Sequence, residues 1–148
     1  MRLASGIAPI RKMLNKNVSV GLGVDGAASN DATNLFHEAR QAFLLARVRD
    51  ESAAVMTARD ALHIATGGGA KVLGRNDIGY LAPGMAADFI AVDLDKLGYV
   101  STQQDPVVAL IYCQTDAVDY SFVNGKKIVD KGNLIDNANK VAIALINS

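Results

Sequence analysis

The residue with the clearest chemical potential is Asp25, which stands where a strand pattern ends. From Val18 to Val24, aliphatic residues alternate with serine and glycine, and this period of two predicts a strand. Small residues between the β-branched ones suit a strand that is buried on both faces. A carboxylate at the C-terminal end of such a strand lies where (β/α) barrels collect their catalytic groups. Because Gly26 follows, a simple turn of the chain is the alternative.

Three further polar residues, Ser29, Asn30 and Asp31, follow Asp25 closely. Their side chains could line a pocket beside the carboxylate and contact a substrate there. They could equally cap the next predicted helix, because Ser, Asn and Asp side chains accept hydrogen bonds from the free amides at a helix start. Capping by Ser29 or Asn30 is the interpretation that we favour from the residues alone.

Other candidates for chemistry are few. The two histidines, His37 and His63, both fall in helical patterns among apolar neighbours, where packing or surface exposure is expected. Cys113 ends an apolar run with no basic residue beside it, which predicts a buried, unreactive thiol. The stretch Gly67–Lys71 is similar to a phosphate-binding loop, but Val72 stands where that motif needs Ser or Thr. We expect its glycines to let a helix pack closely instead.

The pattern along the chain changes from helical to extended near Gly74. Helices are predicted over Ala4–Leu14, Asp31–Arg49, Thr57–Gly74, Asp105–Ile111 and Asp136–Ile146. Strands are predicted over Val18–Val24, Asp88–Val92, Val118–Val123 and Lys126–Val129. Thr57 and Asp60 form the pattern of a capping box, and Gly74 is a typical helix stop. Asn124 and Gly125 predict a tight hairpin, because both residues accept a positive φ.

The composition indicates a globular chain and excludes several partners. Half of the 148 residues are hydrophobic, a fifth are charged, and the formal net charge is zero. A nucleic-acid surface would need a basic patch, so we expect no nucleic-acid partner. No apolar run approaches the roughly 20 residues that span a bilayer, so we expect no membrane contact. A single cysteine and the lack of a signal-peptide pattern predict a cytoplasmic location.

Four stretches resemble the C-terminal third of the metal-dependent amidohydrolases. They are R-L-A-S-G-I-A-P-I from Arg2, G-V-D-G-A-A-S-N-D from Gly23, D-A-L-H-I-A-T-G-G-G-A-K-V-L-G from Asp60 and I-G-Y-L-A-P-G-M-A-A-D-F-I-A-V-D from Ile78. The resemblance covers nearly the whole chain. It points to the branch that contains 8-oxoguanine deaminase, guanine deaminase and the triazine aminohydrolases.

The resemblance implies an incomplete α/β fold. Residues 1–74 would supply the last strand and the outer helices of a (β/α)8 barrel. Residues 75–148 would supply part of a small composite β-sandwich with a C-terminal helix. A barrel with one wall strand cannot close. We therefore expect exposed apolar surface that is covered by self-association or by a missing N-terminal segment.

The resemblance also implies a site. Asp25 would bind the catalytic metal, zinc or iron in the complete enzyme, and take a proton from the attacking water. Arg2, Ser29 and Asn30 would contact the substrate, although Arg2 could equally be an ordinary surface arginine. The histidines that complete the family's metal centre have no counterpart here. Because a catalytic zinc usually has three protein ligands, we expect this chain alone to bind no metal.

The leading prediction is a C-terminal fragment of a metal-dependent aminohydrolase, which is inactive alone. The complete enzyme would hydrolyse an amino group from a purine or a related N-heterocycle such as 8-oxoguanine. Two alternatives stay open, namely a non-catalytic oligomeric association module and one chain of a split amidohydrolase. The chain could also be a cloned piece of a longer protein, so whether it is itself an enzyme is undecided from the sequence.

Overall fold

The computed structural model describes residues 4–26, 28–30, 32–102, 104–113 and 115–135. Its helices are α1 (Ile10–Asn15), α2 (Leu35–Arg49), α3 (Ala58–Ala65), α4 (Gly67–Val72) and α5 (Pro106–Tyr112). Its strands are β1 (Phe89–Ala91), β2 (Tyr120–Val123), β3 (Lys126–Asp130) and β4 (Asn133–Leu134). The predicted residues Arg2 and Asp31 and the predicted helix Asp136–Ile146 lie outside these ranges. No helix within them is long and apolar enough to cross a membrane.

Helices α2, α3 and α5 pack together around the hydrophobic core. Phe43, Met56, Ile64 and Ile111 are almost completely buried there. The ring of Phe43 meets that of Tyr112 edge to face, with 4.8 Å between the centroids, which is a favourable aromatic geometry. Helix α5 follows residue 74 but belongs to this core. The proposed division of the chain into residues 1–74 and 75–148 stays a prediction.

The four strands form one antiparallel sheet in the order β1-β2-β3-β4. Asn124 and Gly125 join β2 to β3 with φ values of 49° and 74°, so the predicted hairpin is confirmed. Lys131 and Gly132, with φ values of 48° and 78°, make a second tight turn and lead into β4. Strand β4 is absent from the sequence-based prediction because its two residues are too few to show a pattern.

Two predicted helix starts are wrong. Helix α1 begins at Ile10 rather than Ala4, because Ala4 and Gly6 have positive φ values of 50° and 92° that no right-handed helix contains. Helix α2 begins at Leu35, and its N-cap is Asn34, whose side chain accepts a hydrogen bond from the amide of Phe36. Capping by Ser29 or Asn30 is therefore wrong.

The helix predicted from Thr57 to Gly74 is two helices. They meet at Thr66, whose φ and ψ of −121° and −91° break the helical path. The predicted capping box is present, because the side chain of Thr57 accepts from the amide of Asp60 and the Asp60 carboxylate accepts from the amide of Thr57. Gly74, with φ +67°, ends α4 as predicted. The amides of Gly74 and Arg75 donate to Lys71 and Ala70, as in a Schellman motif.

The strand predicted over Val18–Val24 does not pair with any strand among the described residues, and the structure assigns no strand there. A strand needs a neighbouring strand to satisfy its backbone amides and carbonyls, and the described chain supplies none. The segment instead packs backbone to backbone against α4. A Cβ added to Gly21 would lie 2.9 Å from Cα of Gly69, and one added to Gly68 would overlap the carbonyl oxygen of Val20. The expectation that these glycines permit close packing is thus supported.

Neighbouring glycines of α4 provide a matched test of this contact. Gly68→Ala should lower the free energy of unfolding by about 1–3 kcal/mol, because the new methyl group must displace the backbone at Val20. Gly69→Ala should leave it unchanged or raise it by about 0.5–1 kcal/mol, since that Cβ meets nothing within 4 Å and Ala is the better helix residue. Urea unfolding of both variants measures the difference. Equal effects would contradict the close approach.

The capping box should make stability depend on acid. Burial raises the pKa of Asp60, but hydrogen bonds from Thr57 and the charge of Arg11 outweigh it and hold the pKa below 3.8. The ionised carboxylate therefore stabilises the fold above pH 3.8, and that contribution is lost as the pH falls through the lower folded-state pKa. Asp60→Asn should reduce the loss of stability between about pH 5 and about pH 2.

Urea unfolding at several pH values checks this expectation. Asp95→Asn is the control, because the structure shows no hydrogen bond to that side chain from the described residues. Thr57→Ala should cost about 1 kcal/mol at neutral pH through the lost cap. An Asp60→Asn variant that loses stability in acid as steeply as the unchanged chain would contradict the assignment.

Candidate active-site cavity around Asp25

A cavity of about 290 Å³ lies between the segment before α1, the segment that carries Asp25, and α2. Its polar lining residues are Ser5, Asp25, Ser29, Glu38 and Gln41. Its apolar lining residues include Ile7, Ile10, Leu22, Ala42 and Leu45. The volume is close to the lower end of small-molecule pockets, and the cavity combines two carboxylates with an apolar floor.

Two arginine contacts hold the N-terminal wall of this cavity. Arg49, at the end of α2, donates through Nε to the carbonyl of Ile7 at 3.1 Å. Arg11, in α1, donates to the carbonyl of Val55 at 2.7 Å and to the carboxylate of Asp60 at 3.0 Å. The segment that precedes α1 is therefore bonded to the end of α2, and α1 itself is bonded to Val55 and to Asp60 of α3.

Asp25 has a left-handed backbone. Its φ is +65°, a conformation that costs a residue with a Cβ about 1–2 kcal/mol relative to the ordinary backbone. Its Oδ1 accepts the amide of Gly26 at 2.8 Å, and no described residue donates to its other oxygen. The side chain is exposed at the cavity. Residues with a sparsely populated backbone conformation cluster at functional positions.

A tight turn follows Asp25 and places Ser29 and Asn30. The amides of both residues donate to the carbonyl of Gly26, at 2.9 Å and 3.0 Å. Ser29 lines the cavity together with Asp25. Ser29 thus shares the cavity with the predicted metal ligand, whereas Asn30 is not among its lining residues and Arg2 lies outside the described residues. Substrate binding by any of them stays a prediction.

Both polar atoms of the Asn30 side chain form hydrogen bonds within the protein. Its Nδ2 donates to the carbonyl of Val24 at 2.8 Å and to Oε1 of Glu38 at 2.7 Å. Its Oδ1 accepts the amide of Ala32 at 3.0 Å. The amide therefore connects the residue before Asp25 to helix α2.

Glu38 and Gln41 are cavity residues that reasoning from the sequence missed. Both belong to the face of α2 that carries Ala42 and Leu45, because residues three and four apart share a helix face. The signal was present in the sequence as two polar residues on an otherwise apolar stripe.

The histidines lie elsewhere, as the sequence predicts. His37 Nε2 is 3.3 Å from Oδ1 of Asp116, and the exposed ring of His63 packs beside Gly67. Neither lines the cavity. Cys113 is partly exposed rather than buried, with Sγ 3.2 Å from Oγ1 of Thr102, so the prediction of a buried thiol is wrong.

The described residues do not form a complete metal site. Among them, no three His, Cys, Asp or Glu side chains lie close enough together to hold an ion. A carboxylate such as that of Asp25 is a suitable oxygen ligand for zinc, but a catalytic zinc site uses about three protein ligands. The role of Asp25 as a metal ligand stays a prediction.

Comparison with known proteins identifies the family. A profile of the amidohydrolase family matches residues 1–132. The 8-oxoguanine deaminase of Pseudomonas aeruginosa is 48% identical over 88% of this chain and 29% of its own length. A 5-methylthioadenosine/S-adenosylhomocysteine deaminase of Pelotomaculum thermopropionicum is 39% identical over 99% of this chain and 36% of its own length.

Solved structures agree with the sequence relatives. An adenosine deaminase from Xanthomonas campestris with bound zinc superposes with a TM-score of 0.86 at 34% identity, covering 97% of this chain and 34% of that one. An atrazine chlorohydrolase from Arthrobacter aurescens complexed with zinc gives 0.84 at 36% identity, covering 95% and 32%. The chain belongs to the amidohydrolase family, and it spans about a third of the length of these relatives.

The strained backbone at Asp25 leads to a stability prediction. Asp25→Gly should be more stable than Asp25→Ala by about 1 kcal/mol, because glycine adopts a positive φ without a steric cost and alanine does not. The comparison is made by urea unfolding of the two variants, which both lack the carboxylate. Equal stability of the two would mean that residue 25 does not have a left-handed backbone in solution.

Proposed function

We propose that this chain is the C-terminal part of a metal-dependent aminohydrolase that acts on an N-heterocycle such as 8-oxoguanine. The observation that carries the proposal is the placement of Asp25, with a left-handed backbone and one carboxylate oxygen that accepts from no described residue, in a cavity of small-molecule size. The relatives that are named deaminases support the reaction class. The zinc in the related structures supports zinc as the metal of the complete enzyme, with iron as the other candidate.

In this proposal the architecture is that of an incomplete barrel. Residues 18–24 would form a wall strand once upstream strands supply its backbone partners, and the sheet β1–β4 would be part of a composite β-sandwich. Large apolar side chains that are exposed in the described chain, such as Leu73, Leu81 and Val18, are consistent with surface that another segment covers. The missing N-terminal segment is our preferred partner for this surface.

The proposed chemistry is hydrolytic deamination. Bound zinc supplies positive charge that lowers the pKa of a coordinated water. The free oxygen of Asp25 would accept one proton of the water as its oxygen adds to the ring carbon that carries the amino group. Asp25 would then return that proton to the departing nitrogen, which leaves as ammonia. The ring carbon would keep the oxygen as a hydroxyl group, and the proton of that hydroxyl would move to the adjacent ring nitrogen to give the carbonyl form. The left-handed backbone would hold the carboxylate at the cavity during both transfers.

A second candidate is a non-catalytic association module. The exposed apolar residues favour it, because a second copy of the chain could cover them as well as an upstream segment could. The measurement that separates the candidates is zinc content per chain on purified protein of known oligomeric mass. A stable oligomer without zinc would favour the association module, and a zinc-bound assembly would favour a site shared between chains.

A chimera tests the proposed activity directly. This chain would replace the matching C-terminal region of the Pseudomonas aeruginosa 8-oxoguanine deaminase, which supplies the upstream part. We expect the chimera to bind zinc and to release ammonia from 8-oxoguanine. Asp25→Asn should lower kcat by about 10²–10⁴-fold, the usual contribution of a general acid–base group.

The control for this variant is Asp77→Asn, a carboxylate that pairs with Arg75 outside the cavity. It should leave kcat unchanged. A folded, zinc-bound chimera that releases no ammonia from 8-oxoguanine, 5-methylthioadenosine or S-adenosylhomocysteine would contradict the proposed substrate class. Full activity of the Asp25→Asn chimera would contradict the role of Asp25.

A further inference from the structure

We propose that Asn30 and Glu38 form a positioning pair that holds Asp25 in its left-handed conformation. The inference rests on the proposed function, since it concerns the residue that is to bind the metal and accept the proton. Asn30 would act through the backbone on either side of Asp25 rather than by contact with the substrate. Glu38 would orient Asn30 from helix α2.

The backbone is fixed immediately before Asp25. Asn30 Nδ2 donates to the carbonyl of Val24 at 2.8 Å, and this carbonyl belongs to the peptide unit that includes the amide of Asp25. The orientation of that peptide plane is set by ψ of Val24 and φ of Asp25. A hydrogen bond that fixes the plane therefore restricts φ of Asp25 directly.

The backbone is also fixed immediately after Asp25. The carbonyl of Gly26 accepts the amides of Ser29 and Asn30, which closes the turn, and the carboxylate of Asp25 itself accepts the amide of Gly26. A left-handed backbone at a residue with a Cβ persists only where its surroundings determine it strongly. Asn30 contributes to the constraint on both sides.

Helix α2 anchors the pair. Glu38 Oε1 accepts the second hydrogen of Asn30 Nδ2 at 2.7 Å, and the short distance is typical of a charge-assisted hydrogen bond. Ala39, the next residue of the helix, is buried in the core. The side chain of Asn30 is therefore held by a rigid helix and not by the loop alone.

This arrangement changes the role expected of Asn30. Because both Nδ2 hydrogens already have partners in the chain, donation from Asn30 to a substrate would break existing hydrogen bonds. A positioning residue and a substrate-binding residue have different kinetic signatures. Loss of positioning lowers kcat, whereas loss of uniform substrate binding raises KM.

The first experiment reads the backbone of Asp25 in the 148-residue chain by NMR. The HN–Hα coupling and the backbone ¹³C shifts of residue 25 distinguish a left-handed from an extended backbone. Asn30→Ala and Glu38→Ala should move these signals away from the left-handed pattern. Glu38→Gln should retain them, because its amide oxygen can still accept from Asn30.

The matched control is Asn34→Ala. Asn34 also uses its side chain twice, accepting from Phe36 and donating to the carbonyl of Thr115, and it lies at the start of the same helix. Its loss removes a comparable set of hydrogen bonds without touching the peptide planes around Asp25. In the Asn34→Ala variant, the NMR signals of Asp25 should be the same as in the unchanged chain.

The second experiment measures zinc affinity, kcat and KM of the same variants in the chimera. Asn30→Ala should lower zinc affinity or kcat by about 10–100-fold, the usual effect of losing a residue that orients a metal ligand, with little change in KM. Glu38→Gln should restore most of kcat relative to Glu38→Ala. Asn34→Ala should leave kcat close to that of the unchanged chimera.

Three outcomes would overturn the proposal. Asp25 signals in Asn30→Ala that match those of Asn34→Ala would show that the pair does not set the backbone. A raised KM with unchanged kcat would make Asn30 a substrate-binding residue. Equal loss in Glu38→Gln and Glu38→Ala would exclude the orienting hydrogen bond. The NMR result needs neither metal nor substrate. An inactive chimera would therefore contradict the proposed function but would leave the conclusion about the Asn30–Glu38 pair unchanged.

Discussion

The location of Asp25 depends on a contact in which two backbones meet without side chains between them. Residues 20 and 21 lie directly against Gly68 and Gly69 of α4, and a Cβ at Gly21 or Gly68 would not fit within so short a distance. This contact fixes the path of the segment that leads to Asp25, although no strand pairs with that segment among the described residues. Helix α4 thus positions the segment from one side.

The features that the sequence predicted correctly are local ones. The capping box of Thr57 and Asp60 and the Asn124-Gly125 hairpin each depend on residues within four positions of one another, so the sequence contains the whole interaction. The strand over residues 18–24 could not be settled in this way. Its hydrophobic alternation is real, but a strand is defined by a partner, and the described chain has none.

The site shows the same division. Asp25 could be selected from the sequence because its chemistry and its place at the end of an alternating pattern are both readable there. The hydrogen bonds of the Asn30 side chain could not be predicted from the sequence. Their three partners are two to eight positions away, and the geometry of these contacts depends on the turn after Asp25. Glu38 lines the cavity because of the way α2 packs, which the sequence pattern does not show. Capping, which the residue type favoured, belongs instead to Asn34.

Helix α5 packs onto the core through contacts that are distant in sequence, and this affects the order in which the chain folds. Its Tyr112 accepts hydrogen bonds from Arg40 and Arg47, residues 72 and 65 positions earlier, and Ile111 completes the core. Contacts across such distances close late, because the loop entropy must be overcome first. The hairpin of β2 and β3, in contrast, can form within microseconds. During synthesis, α2 and α3 must therefore keep apolar surface exposed until α5 has left the ribosome, which makes this interval the one in which chaperone binding would matter most.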